Sequence, residues 1–211
     1  SPSILSADLL KLEEEVKILD KCGADYIHID IMDGHYVPNI TFGANIVESL
    51  RKITNKKLDV HMMIKPVKPY IQEFIEAGSD IISFHPEADK NALDIINEIN
   101  KSNVKSGIAI HPDLEISEIK HLLENIHQVI IMTVVPGFGG QKFMYNQVKK
   151  INDLYNLRKD KNYDFEISVD GGINDETGKI CKNNGVDILA VGSYLLSKDS
   201  RDYSKLIKQL R

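Results

Sequence analysis

The sequence has no tryptophan, only two cysteines and no long apolar run. Cys22 and Cys181 lie far apart on two predicted helices, so we expect no disulfide framework and a reducing compartment, the cytoplasm. A membrane helix needs about 18 consecutive apolar residues, and none is present. No signal peptide is visible, but the chain starts at Ser1 rather than Met, which leaves a removed leader open. We therefore expect no membrane partner.

An excess of positive charge is also absent. Lys and Arg number 26 against 31 Asp and Glu, which gives a net charge of −5. No segment is strongly basic, which argues against nucleic acid as a partner. Small anions remain candidates, because backbone N–H groups bind them without net positive charge. The 211 residues, 42% of them hydrophobic, suit one sizeable core, and we predict a single domain over residues 1–211.

Short β-rich runs alternate with amphipathic helical patterns along the whole chain. The predicted strands are 3–5, 25–31, 57–62, 80–84, 104–110, 128–133, 165–169 and 186–191. The predicted helices are 8–21, 43–53, 69–77, 91–100, 114–125, 145–157, 175–183 and 199–210.

This alternation predicts the fold class. Strict βα repetition implies parallel strands with right-handed crossovers, and eight such units can close into a (β/α)8 TIM barrel. An open doubly wound sheet also alternates strands and helices. The dinucleotide-binding form of that sheet is disfavoured, because no Gly-x-Gly-x-x-Gly follows the first strand.

A barrel places its chemistry where the carboxyl ends of the strands meet. His28 and Asp30 are two residues apart, so both face the same side of the second predicted strand. His61 enters from the next strand and Asp170 from across the barrel. Two imidazoles and two carboxylates suit zinc or another first-row metal. The alternative is that each histidine is a hydrogen-bonded structural residue.

Three methionines, Met32, Met63 and Met132, end strands at the same side of the sheet. Most methionines are core filler, and that alternative stays open for each of them. Together they predict an apolar wall that offers no proton and excludes water from a reactive intermediate.

Glycine-bearing loops follow the last three predicted strands: Gly137 to Gly140, Gly171-Gly172 and Gly192-Ser193. Glycine lets backbone N–H groups approach an anion closely, and barrels commonly hold a phosphate at this position. The alternative is that these glycines only form turns.

A phosphate anchor, a metal and two carboxylates indicate a phosphorylated sugar as substrate. The metal stabilises an enediolate as a Lewis acid while one carboxylate removes the proton beside the carbonyl. A second carboxylate on the opposite side returns a proton to the other face. The expected result is inversion of that carbon without net redox change.

Several motifs together resemble the ribulose-phosphate 3-epimerase family. They are HIDIMDGHYVPN from His28, HMMIKP from His61, MTVVPGFGGQKF from Met132, VDGGI from Val169 and VGS from Val191, after PSILSAD at Pro2. The resemblance runs over nearly the whole chain. It implies a barrel of the ribulose-phosphate-binding type that interconverts D-ribulose 5-phosphate and D-xylulose 5-phosphate in the pentose phosphate pathway. It also implies a divalent metal, with Zn²⁺ expected first and Fe²⁺, Mn²⁺ and Co²⁺ as alternatives, and a homo-oligomer, a dimer or hexamer.

The resemblance implies roles for individual residues. Asp30 is the base on one face and Asp170 the acid on the other, and both ligate the metal with His28 and His61. Met32, Met63 and Met132 cap the site. The implied substrate contacts are Ser3, His61, Gly137, Phe138, Gly139, Gly140, Asp170, Gly171, Gly172, Gly192 and Ser193.

Two rival functions remain at this point. Another barrel enzyme acting on a phosphorylated sugar, a decarboxylase or aldolase, often relies on a strand-end lysine, and Lys65 lies past the end of its strand. A domain that only binds metal or phosphate has no need of two opposed carboxylates. Within the family pattern, Val135, Met62 and Tyr194 depart from the usual residues, and none of them is a predicted ligand.

Overall fold

Among the residues that the structure describes, 1–196 and 202–211, seven parallel strands form one sheet whose order follows the chain. The structure is a computed structural model. The strands are β1 (Tyr26–Met32), β2 (Lys57–Met63), β3 (Ile81–Phe84), β4 (Lys105–Ile110), β5 (Gln128–Met132), β6 (Glu166–Asp170) and β7 (Ile188–Ala190). The α-helices are α1 (Leu12–Lys21), α2 (Ala44–Arg51), α3 (Ile71–Glu76), α4 (Ala92–Lys101), α5 (Ile116–Ile119), α6 (Gln147–Lys161), α7 (Asp175–Asn183), α8 (Ser193–Leu196) and α9 (Tyr203–Leu210).

Pro2 and Ser3 close the sheet between β7 and β1. The Ser3 N–H donates to Val191 O at 2.9 Å, and the His28 N–H donates to Pro2 O at 2.8 Å. The chain then turns into a 3-10 helix, because the Ser3 hydroxyl accepts a hydrogen bond from Leu5 N at 3.3 Å. The first predicted strand, 3–5, is therefore wrong as a strand, although its start fills the eighth position of the barrel.

The TIM-barrel prediction is confirmed. The strand order rises steadily around the sheet, whereas a doubly wound sheet reverses direction. The predicted helix at 114–125 is wrong as one helix, since α5 gives way to a 3-10 helix, Lys120–Asn125. Residues 199–201 of the last predicted helix lie outside the described residues, and Tyr203–Leu210 forms α9. No helix in the described ranges combines the length and the apolar character needed to cross a membrane.

The two faces of β1 explain why the polar residues gather inside. Ile27, Ile29 and Ile31 alternate along the strand and are buried in the main core between sheet and helices. The intervening residues, His28 and Asp30, then point to the barrel interior, where they are almost fully buried too. Burial of the isoleucines thus fixes the register that aims the site residues inward.

A candidate active site and metal centre

The inner faces of β1 and β2 align in three tiers. Because the strands pair in parallel and side chains alternate, every second residue on β1 meets an inward partner on β2. From the amino end to the carboxyl end the pairs are His28 with Asp59, Asp30 with His61, and Met32 with Met63.

The middle of the barrel gathers His28, Asp30, His61 and Asp170, whose facing ligand atoms all lie within 4.8 Å of one another. Asp30 Oδ1 is 3.4 Å from His28 Nε2 and 3.3 Å from His61 Nδ1. Asp170 Oδ2 is 3.9 Å and 3.6 Å from the same two nitrogens. With bonds of about 2.0–2.2 Å, tetrahedral ligands lie about 3.3–3.6 Å apart, so these spacings suit a first-row cation.

His28 carries the sharpest sign that the cluster fits a cation. Its ring is fully buried, and its Nδ1 lies 2.8 Å from Asp59 Oδ2. Its Nε2 has no hydrogen-bond partner among the described residues and faces the carboxylates. A buried polar atom without a partner is costly, and a metal ion bound to Nε2 would satisfy it. Asp59 has no role predicted from the sequence, because its pairing with His28 depends on strand register.

The cluster strongly perturbs its own protonation. Burial alone lowers the pKa of His28, but Asp30 and Asp59 outweigh burial and raise that pKa well above its usual value. Burial likewise opposes the raised pKa of His61, which the neighbouring carboxylates of Asp170 and Asp30 produce. For Asp30, burial is outweighed by the nearby charge of His28 and by the hydrogen bond from His61, which lower the pKa. A bound cation would replace protons that the histidines otherwise hold.

Two hydroxyls fix Asp30 at the end of β1. Ser3 Oγ donates to Asp30 Oδ2 at 2.6 Å. Thr41 Oγ1 donates to the backbone oxygen of Asp30 at 2.6 Å and accepts from Met32 N at 3.0 Å. The carboxylate is therefore held on one oxygen by Ser3 while the other faces the histidines. Thr41 is a supporting residue that the sequence analysis did not identify.

A cleft opens above the cluster. Asp30 and Asp170 both line it, and the Asp170 side chain is the more accessible of the two, 17% exposed against 4%. His28 and His61 lie fully buried below it, so the substrate contact expected for His61 stays a prediction. The other predicted site residues at its wall are Ser3, Met32, Met63, Met132, Gly137, Phe138, Gly139, Gly140, Gly171, Gly172, Gly192 and Ser193.

The loop that follows β5 is held by two side-chain amides. Asn39 Nδ2 donates to Gly137 O at 2.8 Å. Gln141 Nε2 donates to Val135 O at 2.7 Å and to Phe138 O at 2.8 Å. These bonds fix several carbonyl groups of the glycine-rich loop. Neither amide was singled out from the sequence, because each acts on backbone atoms.

The loop that follows β6 is fixed by two threonines. Thr133 Oγ1 donates to Gly171 O at 2.6 Å, and Thr177 Oγ1 donates to Gly172 O at 3.0 Å. Thr177 also caps the start of α7 with Asn174 in a reciprocal pair of hydrogen bonds. The start of α7 therefore helps to position Gly172, whereas Gly171 is held by the residue that follows β5.

His85 and His111, which the sequence left without a role, differ sharply in the structure. His85 directly follows β3, is fully buried and places its Nε2 3.0 Å from His61 Nε2. Burial lowers the pKa of His85 to about 4. The His111 side chain is 29% exposed and faces the carboxylate of Asp113.

Lysine chemistry has no support in this cleft. None of the residues that line the described cleft is a lysine. Lys65 is exposed beyond the end of β2, and its backbone N–H donates to Asp33 Oδ2 at 2.8 Å. Among the described residues, the alternative prediction of a lysine-dependent aldolase or decarboxylase therefore finds no lysine at the cleft.

The model of the ribulose-phosphate 3 epimerase family matches residues 1–196. The chain belongs to this family. It is 42% identical over 212 residues to the ribulose-phosphate 3-epimerase of Bacillus subtilis, covering 100% of this chain and 97% of that one. It is 41% identical over 209 residues to the enzyme of the same name from Methanocaldococcus jannaschii, covering 99% and 88%. The chain is accordingly an isomerase of the epimerase type.

Similarity to solved structures supports the fold. The crystal structure of 3-keto-L-gulonate-6-phosphate decarboxylase from Vibrio cholerae matches with a TM-score of 0.73, covering 99% of this chain and 95% of that one. The sequence identity in that match is 17%, so the likeness concerns the barrel and not the reaction.

Proposed function

We propose that this chain inverts C3 of D-ribulose 5-phosphate to give D-xylulose 5-phosphate, reversibly, in the pentose phosphate pathway. Membership of the epimerase family and the names of the relatives support the substrate. One observation supports the mechanism above all others. Asp30 and Asp170, from strands on different sides of the barrel, reach the same buried histidine pair and both line the cleft above it.

The proposed cation site consists of His28, Asp30, His61 and Asp170. When bound there, a divalent metal supplies Lewis-acid stabilisation of the negative charge that develops on the substrate's ketone oxygen. Mixed nitrogen and oxygen donors suit Zn²⁺, our first expectation, and are also compatible with Fe²⁺, Mn²⁺ and Co²⁺.

The proton transfers fall to the two aspartates. Asp30, which its neighbours keep ionised, takes the C3 proton from one face and leaves an enediolate. Asp170, protonated at the start of this direction, delivers its proton to the opposite face of C3. The configuration is inverted, Asp30 now carries a proton and Asp170 is ionised, and the reverse reaction exchanges the two roles.

The methionines protect the intermediate. Met32, Met63 and Met132 are 3%, 2% and 1% exposed and form part of the cleft wall. Their thioethers have no acidic proton, so they do not quench a carbanion-like centre. An apolar wall also excludes water that would protonate C3 from the wrong side.

We assign the phosphate of the substrate to the loops at Gly137–Gly140, Gly171-Gly172 and Gly192-Ser193. All three lie at the cleft wall, and side chains tie two of them down at their carbonyl oxygens. A loop fixed in this way can present backbone N–H groups to an anion without reorganising.

We also propose that the protein forms a homo-oligomer, a dimer or hexamer, and that it is located in the cytoplasm.

Proton exchange in deuterium oxide tests the proposed function. D-ribulose 5-phosphate incubated with the enzyme should form D-xylulose 5-phosphate and acquire deuterium at C3, as followed by proton NMR. Treatment with a chelator should stop both processes, and readdition of Zn²⁺, Fe²⁺, Mn²⁺ or Co²⁺ should restore them to different extents. Product formation without solvent deuterium at C3 would contradict the two-aspartate mechanism, and full activity after chelation would contradict the metal.

A further inference from the structure

The histidine that follows β3 contacts a proposed metal ligand from behind. His85 Nε2 lies 3.0 Å from His61 Nε2, and both rings are fully buried. The other nitrogen of His61, Nδ1, faces Asp30 Oδ1 at 3.3 Å and Asp170 Oδ2 at 3.6 Å. His61 therefore lies between the proposed cation site and His85, with one ring nitrogen toward each.

Proton counting fixes the direction of this contact. Two ring nitrogens 3.0 Å apart share a single proton. A nitrogen that binds a cation uses its lone pair, so the His61 proton must then be on Nε2. His61 consequently donates, and His85 Nε2 accepts. An accepting Nε2 leaves the proton of a neutral His85 on Nδ1, which faces Glu87 Oε1 at 3.5 Å.

A second layer holds His85 in that orientation. The ring of Tyr36 stacks on the His85 ring with centroids 4.5 Å apart and planes inclined by 30°. Tyr36 OH donates to Glu87 Oε1 at 2.7 Å. Glu87 lies on the short 3-10 helix Pro86–Ala88 that begins directly after His85. Stacking restricts rotation of the imidazole, and the charge of the carboxylate favours the orientation that turns Nδ1 toward it.

The two histidine ligands thus have different supports. His28 Nδ1 is paired with the carboxylate of Asp59 at 2.8 Å, whereas His61 Nε2 is paired with an imidazole. An ionised carboxylate can accept hydrogen bonds but cannot donate them. Asp59 therefore fixes the His28 tautomer unaided. An imidazole accepts on one nitrogen only, so His85 must itself be oriented. The Tyr36 ring stacks on it, and the Glu87 carboxylate lies 3.5 Å from its Nδ1.

We propose that His85 is a positioning residue that holds His61 in the tautomer whose Nδ1 is free to bind the catalytic metal. This inference rests on the metal centre of the proposed function. Without an acceptor at position 85, the alternative His61 tautomer, which carries its proton on Nδ1 and donates to Asp30, becomes competitive. Loss of such an outer partner typically weakens metal binding by about 10–100-fold.

Zn²⁺ affinity of the full chain, measured by competition with a fluorescent chelator, tests the proposal. His85→Leu removes the acceptor, while His85→Gln keeps a side-chain oxygen that can accept from His61. We expect the Zn²⁺ dissociation constant to be about 10–100-fold higher in His85→Leu than in the wild type. In His85→Gln we expect it to return most of the way to the wild-type value. His127→Gln, the same chemical change at an exposed histidine, should leave the constant unchanged.

The outcomes separate this inference from the proposed function. If the wild type binds Zn²⁺ tightly and both His85→Leu and His85→Gln bind it with the wild-type affinity, the role of His85 is overturned. The proposed metal centre would be unaffected by that result. Equal affinities of wild type and His28→Ala would overturn the metal centre itself, and the inference with it.

Ring-nitrogen NMR of the Zn²⁺-loaded wild type gives a second test that needs no variant. We expect a protonated Nε2 on His61 and an accepting, unprotonated Nε2 on His85. A proton on His85 Nε2 that is donated toward His61 would overturn the proposal. This measurement decides the matter if His85→Leu does not fold.

Discussion

Asp30 on β1 and His61 on β2 are register partners across two parallel strands, and Asp30 Oδ1 lies 3.3 Å from His61 Nδ1. The pairing places the proposed proton acceptor in direct contact with a proposed metal ligand. A substitution at Asp30 therefore acts on proton transfer and on metal binding at once. Any test of the aspartates must measure both quantities on the same sample.

Asp30→Asn and Asp170→Asn should each lower the epimerisation rate by at least about 10²-fold, the usual contribution of a general acid or base. An amide cannot exchange the proton, and it is a weaker metal ligand. The measurement is a coupled epimerase assay combined with elemental analysis of the same protein. Asp113→Asn, at a side chain that is 92% exposed, is the matched control and should keep full activity. Full activity in either buried variant would remove the two-aspartate mechanism.

Asp59→Asn should weaken metal binding while Asp30 and Asp170 stay intact. The Asp59 carboxylate accepts from His28 Nδ1 at 2.8 Å and so leaves Nε2 free to ligate. An asparagine can present an N–H instead, which removes that preference. We expect metal affinity to fall by about 10–100-fold, as measured by chelator competition. Unchanged affinity would mean that the Asp59 pairing is structural only.

Gly172→Ala should destabilise the fold through the loop after β6. The residue has φ of +67°, and an added Cβ would lie 2.6 Å from the backbone N of Phe143. Gly140→Ala is a close control, since φ there is +73° and a Cβ meets nothing within 4 Å. An alanine in the left-handed region costs about 1–2 kcal/mol. Urea unfolding should therefore show a free energy of unfolding lower by about that amount in Gly140→Ala, and lower still in Gly172→Ala. Equal losses would argue against the backbone clash.

Cys181 should resist thiol reagents in the native state. It is fully buried, and burial raises its pKa to about 12. Since a raised pKa leaves almost no thiolate at about pH 8, the reactive form is scarce and inaccessible at that pH. Labelling of the native enzyme should modify Cys22 first and Cys181 only on unfolding. Cys22→Ser should abolish the early reaction, and rapid labelling of that variant would contradict the prediction.

The parts of the site that follow from strand periodicity could be predicted from the sequence. Alternation along His28-Ile29-Asp30 shows which residues share a face, and the order of βα units indicates which strand ends meet. The partners of those residues could not be found in this way. Asp59 and His85 acquire their roles from register between strands and from loop geometry, neither of which is encoded in a local pattern.

The fold differs from prediction where local hydrogen bonds override periodicity. Residues 3–5 have β-type composition, but the Ser3 hydroxyl accepts from Leu5 N and turns the chain after two bridges. The helix α8, Ser193–Leu196, was not predicted because four residues are too few to show a helical period.

The segment Pro2-Ser3 both closes the barrel and orients a proposed catalytic residue. Its backbone bonds to Val191 and His28 link the last strand to the first, and its hydroxyl holds the carboxylate of Asp30. A molecule in which this segment has not yet docked lacks both a completed ring of strands and a correctly oriented base. During refolding, turnover should therefore recover only after Pro2-Ser3 has docked between the last strand and the first.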